Sequence, residues 1–128
     1  MAITEAVENY LETILILSKQ QPDVHAIDIC SYLGYSRPTV SIVLKKMKDD
    51  GLVSVNSDNH ITLTESGREV AEHIYDRHTV ISEFFMLLGV KRDVAVEDAC
   101  KIEHDISDET FELLREHYRK LAEESGKK

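Results

Sequence analysis

The sequence predicts a mainly α-helical fold in which a winged helix-turn-helix is followed by a second, purely helical region. Three observations lead there. Apolar residues recur at helical spacing along nearly all of the 128 residues. The period changes to strand-like alternation only in residues 52–64. Two short helical segments and a basic third one stand immediately before that change, and helix, turn, helix, hairpin is the order of a winged helix.

Residues 4–20 read as the first helix, with Thr4 as N-cap and Val7, Leu11, Ile14, Leu15 and Leu17 as its apolar stripe. Gln21-Pro22-Asp23 breaks it. A short helix over about Ala26–Leu33 carries Ile27, Cys30 and Leu33 and ends at Gly34. Ser36 caps a third helix with Pro38 in its first turn; Val40, Val43, Leu44 and Met47 lead to a stop at Gly51. Leu52–Val55 and His60–Thr64 alternate as strands around the turn Asn56-Ser57-Asp58-Asn59. Glu65 to Leu88 reads as one long helix ended by Gly89, and a Lys91-Arg92-Asp93 turn separates it from a helix over Val94–Ile106. Ser107-Asp108-Glu109 opens a last helix to about Glu124, beyond which Gly126-Lys127-Lys128 should fray. The domain boundary is expected after the hairpin, giving 1–64 and 65–128.

An apolar fraction of 42% is enough for a core, and two cysteines cannot build a disulfide framework. There is no 18-residue apolar run, and the start Met1-Ala2-Ile3-Thr4-Glu5 is acidic and amphipathic rather than a signal peptide. A cytoplasmic, reducing setting without membrane association is expected. The net charge of −9 argues against indiscriminate nucleic-acid binding. That charge is uneven: residues 36–48 carry Arg37, Lys45, Lys46 and Lys48 and no acid, whereas residues 65–128 hold 16 of the 24 carboxylates. A basic element on an acidic body suits DNA binding that depends on a countercharge or a second subunit.

The basic element is the third helix. Ser36, Thr39 and Ser41 offer hydroxyls at a helix N-terminus, where free N–H groups and the helix dipole favour phosphate. Arg37 is suited to bidentate contact with guanine, and Thr39 can offer a methyl to thymine. Lys45 and Lys46 are suited to phosphates, which position rather than specify. Pro38 belongs to the same first turn, and the hairpin tip up to Asn59 can touch the backbone or an adjacent minor groove. Taken singly, a capping serine and solvated lysines have ordinary structural explanations; their combination with the hairpin points to double-stranded DNA.

The second region carries Cys100-Lys101-Ile102-Glu103-His104. On a helix, positions i, i+3 and i+4 share a face, so thiol, carboxylate and imidazole are expected to converge. A soft sulfur, a hard oxygen and a borderline nitrogen suit a transition metal. Three ligands leave such an ion open to water. His78 is one candidate partner, and the first helix offers Glu5, Glu8, Asn9 and Glu12. Cys30 reads as a small buried hydrophobe, and His25, His60, His73 and His117 as surface or locally hydrogen-bonded residues.

These residues together resemble the diphtheria-toxin-repressor family of metal-dependent transcriptional repressors, especially its short manganese-transport-regulator branch. The likeness spans residues 5–124. It is carried by Glu8-Asn9-Tyr10-Leu11-Glu12, Ser36-Arg37-Pro38-Thr39-Val40-Ser41, Met47…Asp50-Gly51-Leu52-Val53, Leu63-Thr64-x-x-Gly67, Arg77-His78 and Cys100-x-x-Glu103-His104. It implies a DNA-binding domain followed by a metal-binding and dimerisation domain. It also implies a homodimer that binds a palindromic operator when loaded with metal and represses metal-uptake genes. The ligand pool it implies is Asn9, Glu12, His78, Cys100, Glu103 and His104.

Two positions depart from the family pattern. Asn9 stands where the manganese branch has aspartate and the iron branch methionine. Cys100 matches the iron branch, where the manganese branch has glutamate. The iron branch's ancillary site is incomplete, with Ser82 in place of a glutamate and Val96 in place of a histidine. Thiolate for carboxylate softens the site toward Fe(II), Zn(II) or Co(II), while Glu12, Glu103 and Asn9 keep enough oxygen for Mn(II). Fe(II) or Mn(II) is the expected cofactor, with Co(II), Zn(II) or Ni(II) as surrogates and no organic cofactor. The competing readings are a winged-helix regulator sensing an organic ligand, a metal hydrolase and a metal-storage or dimerisation module. The hydrolase is disfavoured because no separate base, nucleophile or oxyanion device accompanies the ligands, so no enzymatic activity is expected.

Overall fold

The computed structural model describes residues 3–124, so the expected fraying of Gly126-Lys127-Lys128 lies outside the described residues. The elements follow in the order α1 (Glu5–Gln20), α2 (Ala26–Leu33), α3 (Arg37–Asp49), β1 (Val53–Val55), β2 (Ile61–Leu63), α4 (Glu65–Leu87), α5 (Arg92–Ile102) and α6 (Asp108–Glu124). The chain forms two compact units that divide between His73 and Ile74, within α4. Among the described residues no helix is long and apolar enough to cross a membrane.

In the first unit, helix starts and stops follow local chemistry. Thr4 Oγ1 accepts the Val7 N–H at 3.2 Å and starts α1. The Asp28 carboxylate accepts the His25 N–H at 2.8 Å at the start of α2, and Gly34 ends that helix at φ 74°. Ser36 Oγ accepts the Thr39 N–H at 3.4 Å and shares a 2.9 Å hydrogen bond with the Thr39 hydroxyl. The core is built from Leu11, Ile14 and Leu15 of α1, Ile29 of α2, Val40 and Met47 of α3, and Val53 and Ile61 of the hairpin.

The hairpin is antiparallel, with Val53 opposite Leu63, Ser54 opposite Thr62 and Val55 opposite Ile61. Asn56 Oδ1 closes its turn by accepting the N–H groups of Asp58 and His60 at 2.8 and 3.0 Å. The exit from the hairpin into α4 is tight. Thr64 donates its N–H to Leu52 O at 3.1 Å and its hydroxyl to Gly51 O at 2.6 Å, and its Oγ1 accepts the Gly67 N–H at 3.1 Å. A Cβ on Gly67 would stand 1.9 Å from the Leu52 carbonyl oxygen. Only glycine lets the first turn of α4 approach so closely.

The second unit is built around Val80 and Ile81 of α4, Ala99 of α5 and Phe111 of α6, with Phe85, Ile106, Leu114 and Tyr118 packed against them. Here the expected helix over Val94–Ile106 is corrected at both ends. Lys91 is extended (φ −62°, ψ 147°) and serves as N-cap, so Arg92 and Asp93 are helical rather than a turn. At the other end α5 stops at Ile102, because the Arg77 guanidinium donates to the Glu103 and Ile106 carbonyls and holds residues 103–106 in a turn. Ser107 then caps α6, its Oγ accepting the Thr110 N–H at 3.1 Å.

Candidate metal centre and nucleic-acid interface

In the second unit, α4 supplies His78, α5 supplies Cys100, and Glu103 is the C-cap of α5. Glu103 keeps helical torsions (φ −62°, ψ −27°) and donates its N–H to Ala99 O at 2.9 Å, which leaves its side chain one turn beyond that of Cys100. His78 Nδ1 lies 2.8 Å from Glu103 Oε1 and 3.8 Å from Cys100 Sγ. One ligand atom from each of His78, Cys100 and Glu103 lies within 4.8 Å of the other two, the one such group among the described residues. Metal bonds of roughly 2.0–2.3 Å need only a modest adjustment of that triangle, the nitrogen–oxygen edge opening slightly as the others close.

The burial of Glu103 sharpens the case. Its side chain is fully buried, and Oε2 has no hydrogen-bond partner. A buried carboxylate oxygen that accepts no hydrogen bond, with only the His104 ring 3.4 Å away, is costly, and a bound cation removes that cost. The residues present therefore fit a divalent metal: a sulfur, a nitrogen and an unsatisfied oxygen converge. His78 is pushed up to about 10, first by Cys100 and then by Glu103, against a lowering by burial. Both contacts fall on Nδ1, so a single N–H serves the near oxygen and the farther sulfur.

His104 sits differently from the helical expectation. Its ring is almost fully buried, with Nε2 3.4 Å from Glu103 Oε2. It is not one of the three converging groups, because α5 has ended before it. Asn9 and Glu12 lie on α1 in the first unit, Glu12 buried and Asn9 half-buried, with the Thr13 hydroxyl donating to the Asn9 carbonyl at 2.8 Å. The structure thus gathers His78, Cys100 and Glu103, sets His104 against Glu103, and places Asn9 and Glu12 in the other unit.

Arg77 has a role that sequence reasoning does not give, since Arg77-His78 enters it only as a marker of the family likeness. It is 5% exposed, donates to Glu103 O at 3.0 Å, bonds Ile106 O and pairs with Asp108. Its guanidinium also lies 5.3 Å from the centre of the Phe111 ring. Arg77 therefore braces the turn that carries Glu103. The only sequence signal was its place beside His78. Ser82 donates to His78 O at 2.7 Å, one turn back along α4.

On the first unit, α3 buries Val40, Leu44 and Met47 and leaves Arg37, Pro38, Thr39, Ser41, Lys45 and Lys46 exposed. Arg37 and Ser41 line a groove of about 370 Å³ together with His25 and with Asp58 and Asn59 of the hairpin. Asn59 takes a left-handed conformation at φ 64°, which suits asparagine at a turn. His25 and His60 stack edge to face at 4.6 Å, and His60 Nδ1 lies 3.3 Å from Asp23, the local bonding expected of them. Cys30 is buried, as expected.

Residues 2–61 match the model of the iron-dependent repressor N-terminal DNA-binding domain, and residues 64–126 that of the iron-dependent repressor metal-binding and dimerisation domain. The transcriptional regulator MntR of Escherichia coli is 32% identical over 111 residues, 87% of this chain and 72% of that protein. The iron-dependent repressor IdeR of Mycobacterium tuberculosis is 31% identical over 113 residues, 88% of this chain and 49% of that protein. The solved structure of the manganese regulator SloR superposes with a TM-score of 0.78 at 29% identity, covering 93% of this chain and 55% of that one. The chain thus spans about half the length of the iron repressor and of the solved regulator.

Proposed function

The chain belongs to the iron-dependent repressor family of metal-dependent transcriptional regulators, in its manganese-regulator-like branch, and from that footing we propose that it is a cytoplasmic repressor and not an enzyme. In this reading it binds a palindromic operator as a homodimer when loaded with Fe(II) or Mn(II) and controls metal-uptake genes. The observation that carries the proposal is the convergence of His78, Cys100 and buried Glu103, whose Oε2 accepts no hydrogen bond, in a chain whose α3 is basic and exposed. The working division is 1–64 for DNA and 65–128 for metal and dimerisation.

His78, Cys100 and Glu103 are the primary ligands, and His104, Glu12 and Asn9 complete the pool. The ion would supply positive charge to a donor set that includes the Glu12 and Glu103 carboxylates, and Cys100 inclines the choice toward Fe(II) while the oxygen donors keep Mn(II) acceptable. In this reading metal occupancy and operator affinity are coupled, and the coupling is reciprocal: operator DNA tightens metal binding. Ser36, Arg37, Pro38, Thr39, Ser41, Lys45, Lys46 and Asn59 form the DNA-contacting set. Half-sites in a dimer's operator lie about one helical turn or its multiples apart, ~34 Å each.

Anaerobic titration with Fe(II), Mn(II), Zn(II) and Co(II), followed by specific DNA binding, tests this. Operator affinity should rise on loading with Fe(II) or Mn(II) and fall on chelation. Equal affinity with chelator and with saturating metal would overturn the proposal.

A further inference from the structure

One side chain of the DNA-reading helix is used by none of the roles above. Ile42 is 72% exposed, more than any other large apolar residue among those described. A singly exposed apolar residue is ordinary on a protein surface; the place of this one is not. Successive residues of an α-helix turn about 100°. Val40, Leu44 and Met47 therefore cluster on one side of α3, where they are buried, and Ile42 falls opposite them. It stands one turn beyond Pro38, with Lys45 and Lys46 at i+3 and i+4 on the same face.

Neither packing nor helix propensity explains an isoleucine there. It is a weaker helix former than lysine or glutamate, and it touches no core. Arg37 and Ser41 lie toward the hairpin groove, so they leave the outermost line of the helix to Ile42. The surroundings are basic and residues 36–48 carry no acid, which fits a helix laid against phosphates. The major groove admits a helix, and its distinctive apolar feature is the C5-methyl group of thymine.

We propose that Ile42 is a specificity-determining residue that packs on a thymine methyl in each operator half-site. The inference rests on the operator-binding reading above. In it Ile42 selects sequence, while Lys45 and Lys46 hold the backbone.

The test begins with duplexes selected from a randomised pool by the full metal-loaded chain. Each thymine in the selected site is then replaced by deoxyuridine, which removes only the methyl. At one thymine per half-site the wild-type chain should lose about fourfold in affinity, the worth of one buried methyl. Ile42→Ala should bind more weakly and lose that discrimination, with its far-UV circular dichroism unchanged. Lys45→Ala should weaken all duplexes alike and keep it. A deoxyuridine penalty that survives in Ile42→Ala, or a selected site with no methyl-dependent thymine, overturns the inference and leaves the operator reading standing. Failure of the metal-loaded chain to select any sequence overturns both.

Discussion

The two units handle charge in opposite ways. Among the described residues, the buried polar side chains of the first unit are Glu12 and Thr13, and both of its arginines, Arg37 on α3 and Arg68 on α4, are exposed. The second unit buries Arg77, Ser82 and Glu103, and ties the first and third of these to one turn. Apart from Ser36, which also caps α3, the first keeps its exposed DNA-facing groups on a framework that does not need them. In the second the working groups are the framework. A substitution should therefore separate recognition from stability in one unit and confound them in the other.

Removing the centre of that arrangement should have the largest effect. Glu103→Gln should lower metal affinity by at least about a hundredfold, more than is typical for loss of an outer partner of a ligand, and should abolish metal-dependent DNA binding. Calorimetric metal titration and gel shift check it. A variant that still responds to metal would show that Glu103 is only a structural carboxylate.

The two arginines give the direct contrast. Arg77→Met leaves the carbonyls of Glu103 and Ile106 without their donor, while exposed Asp108 is rehydrated, and should destabilise the protein by about 2–4 kcal/mol. Arg37→Ala should change stability within about 0.5 kcal/mol and lower operator affinity about tenfold. Urea unfolding beside DNA titration separates them. If both arginines behaved alike, the contrast between the units would fail.

Gly67→Ala probes the one place where the first unit has no slack. The new methyl meets the Leu52 carbonyl at 1.9 Å, so a backbone shift costing about 1–3 kcal/mol is expected in urea unfolding. The second unit should also show a pH dependence. The folded, metal-free chain holds the His78 proton up to about 10, against an ordinary value of 6.5. Folding is therefore favoured by this group fully below about pH 6.5, and the contribution fades as pH rises through about 10. Thermal melts of the metal-free protein from pH 6 to 10 should decline accordingly, and His78→Phe should flatten that decline.

Legibility from sequence follows the same division. In the first unit each element is dictated by neighbours along the chain: Thr4 and Ser36 cap, Gly34 stops, Asn56 closes the turn, and alternation marks the strands. Ile42 was legible too, as the apolar residue out of phase with the stripe of α3, but counting apolar residues without their phase hides it. In the second unit the end of α5 is decided by Arg77, 26 residues earlier in the chain, and helical spacing carries no trace of such a contact. That is why helical spacing brings Cys100 and Glu103 to one side, whereas His104, past the end of α5, faces the second oxygen of Glu103. The partner His78 could be named from residue type and family likeness; its 2.8 Å approach to Glu103 could not.

The chain has two thiols, and they differ in a way an experimenter can use. Cys30 is enclosed while Cys100 is open to solvent beside His78. An alkylating reagent applied to the native protein therefore marks one position, and the untouched Cys30, released on unfolding, serves as an internal standard. Mass spectrometry of the two labelled peptides would turn the proposed ligand into a gauge of its own occupancy, readable in crude extracts without purification or a reporter gene.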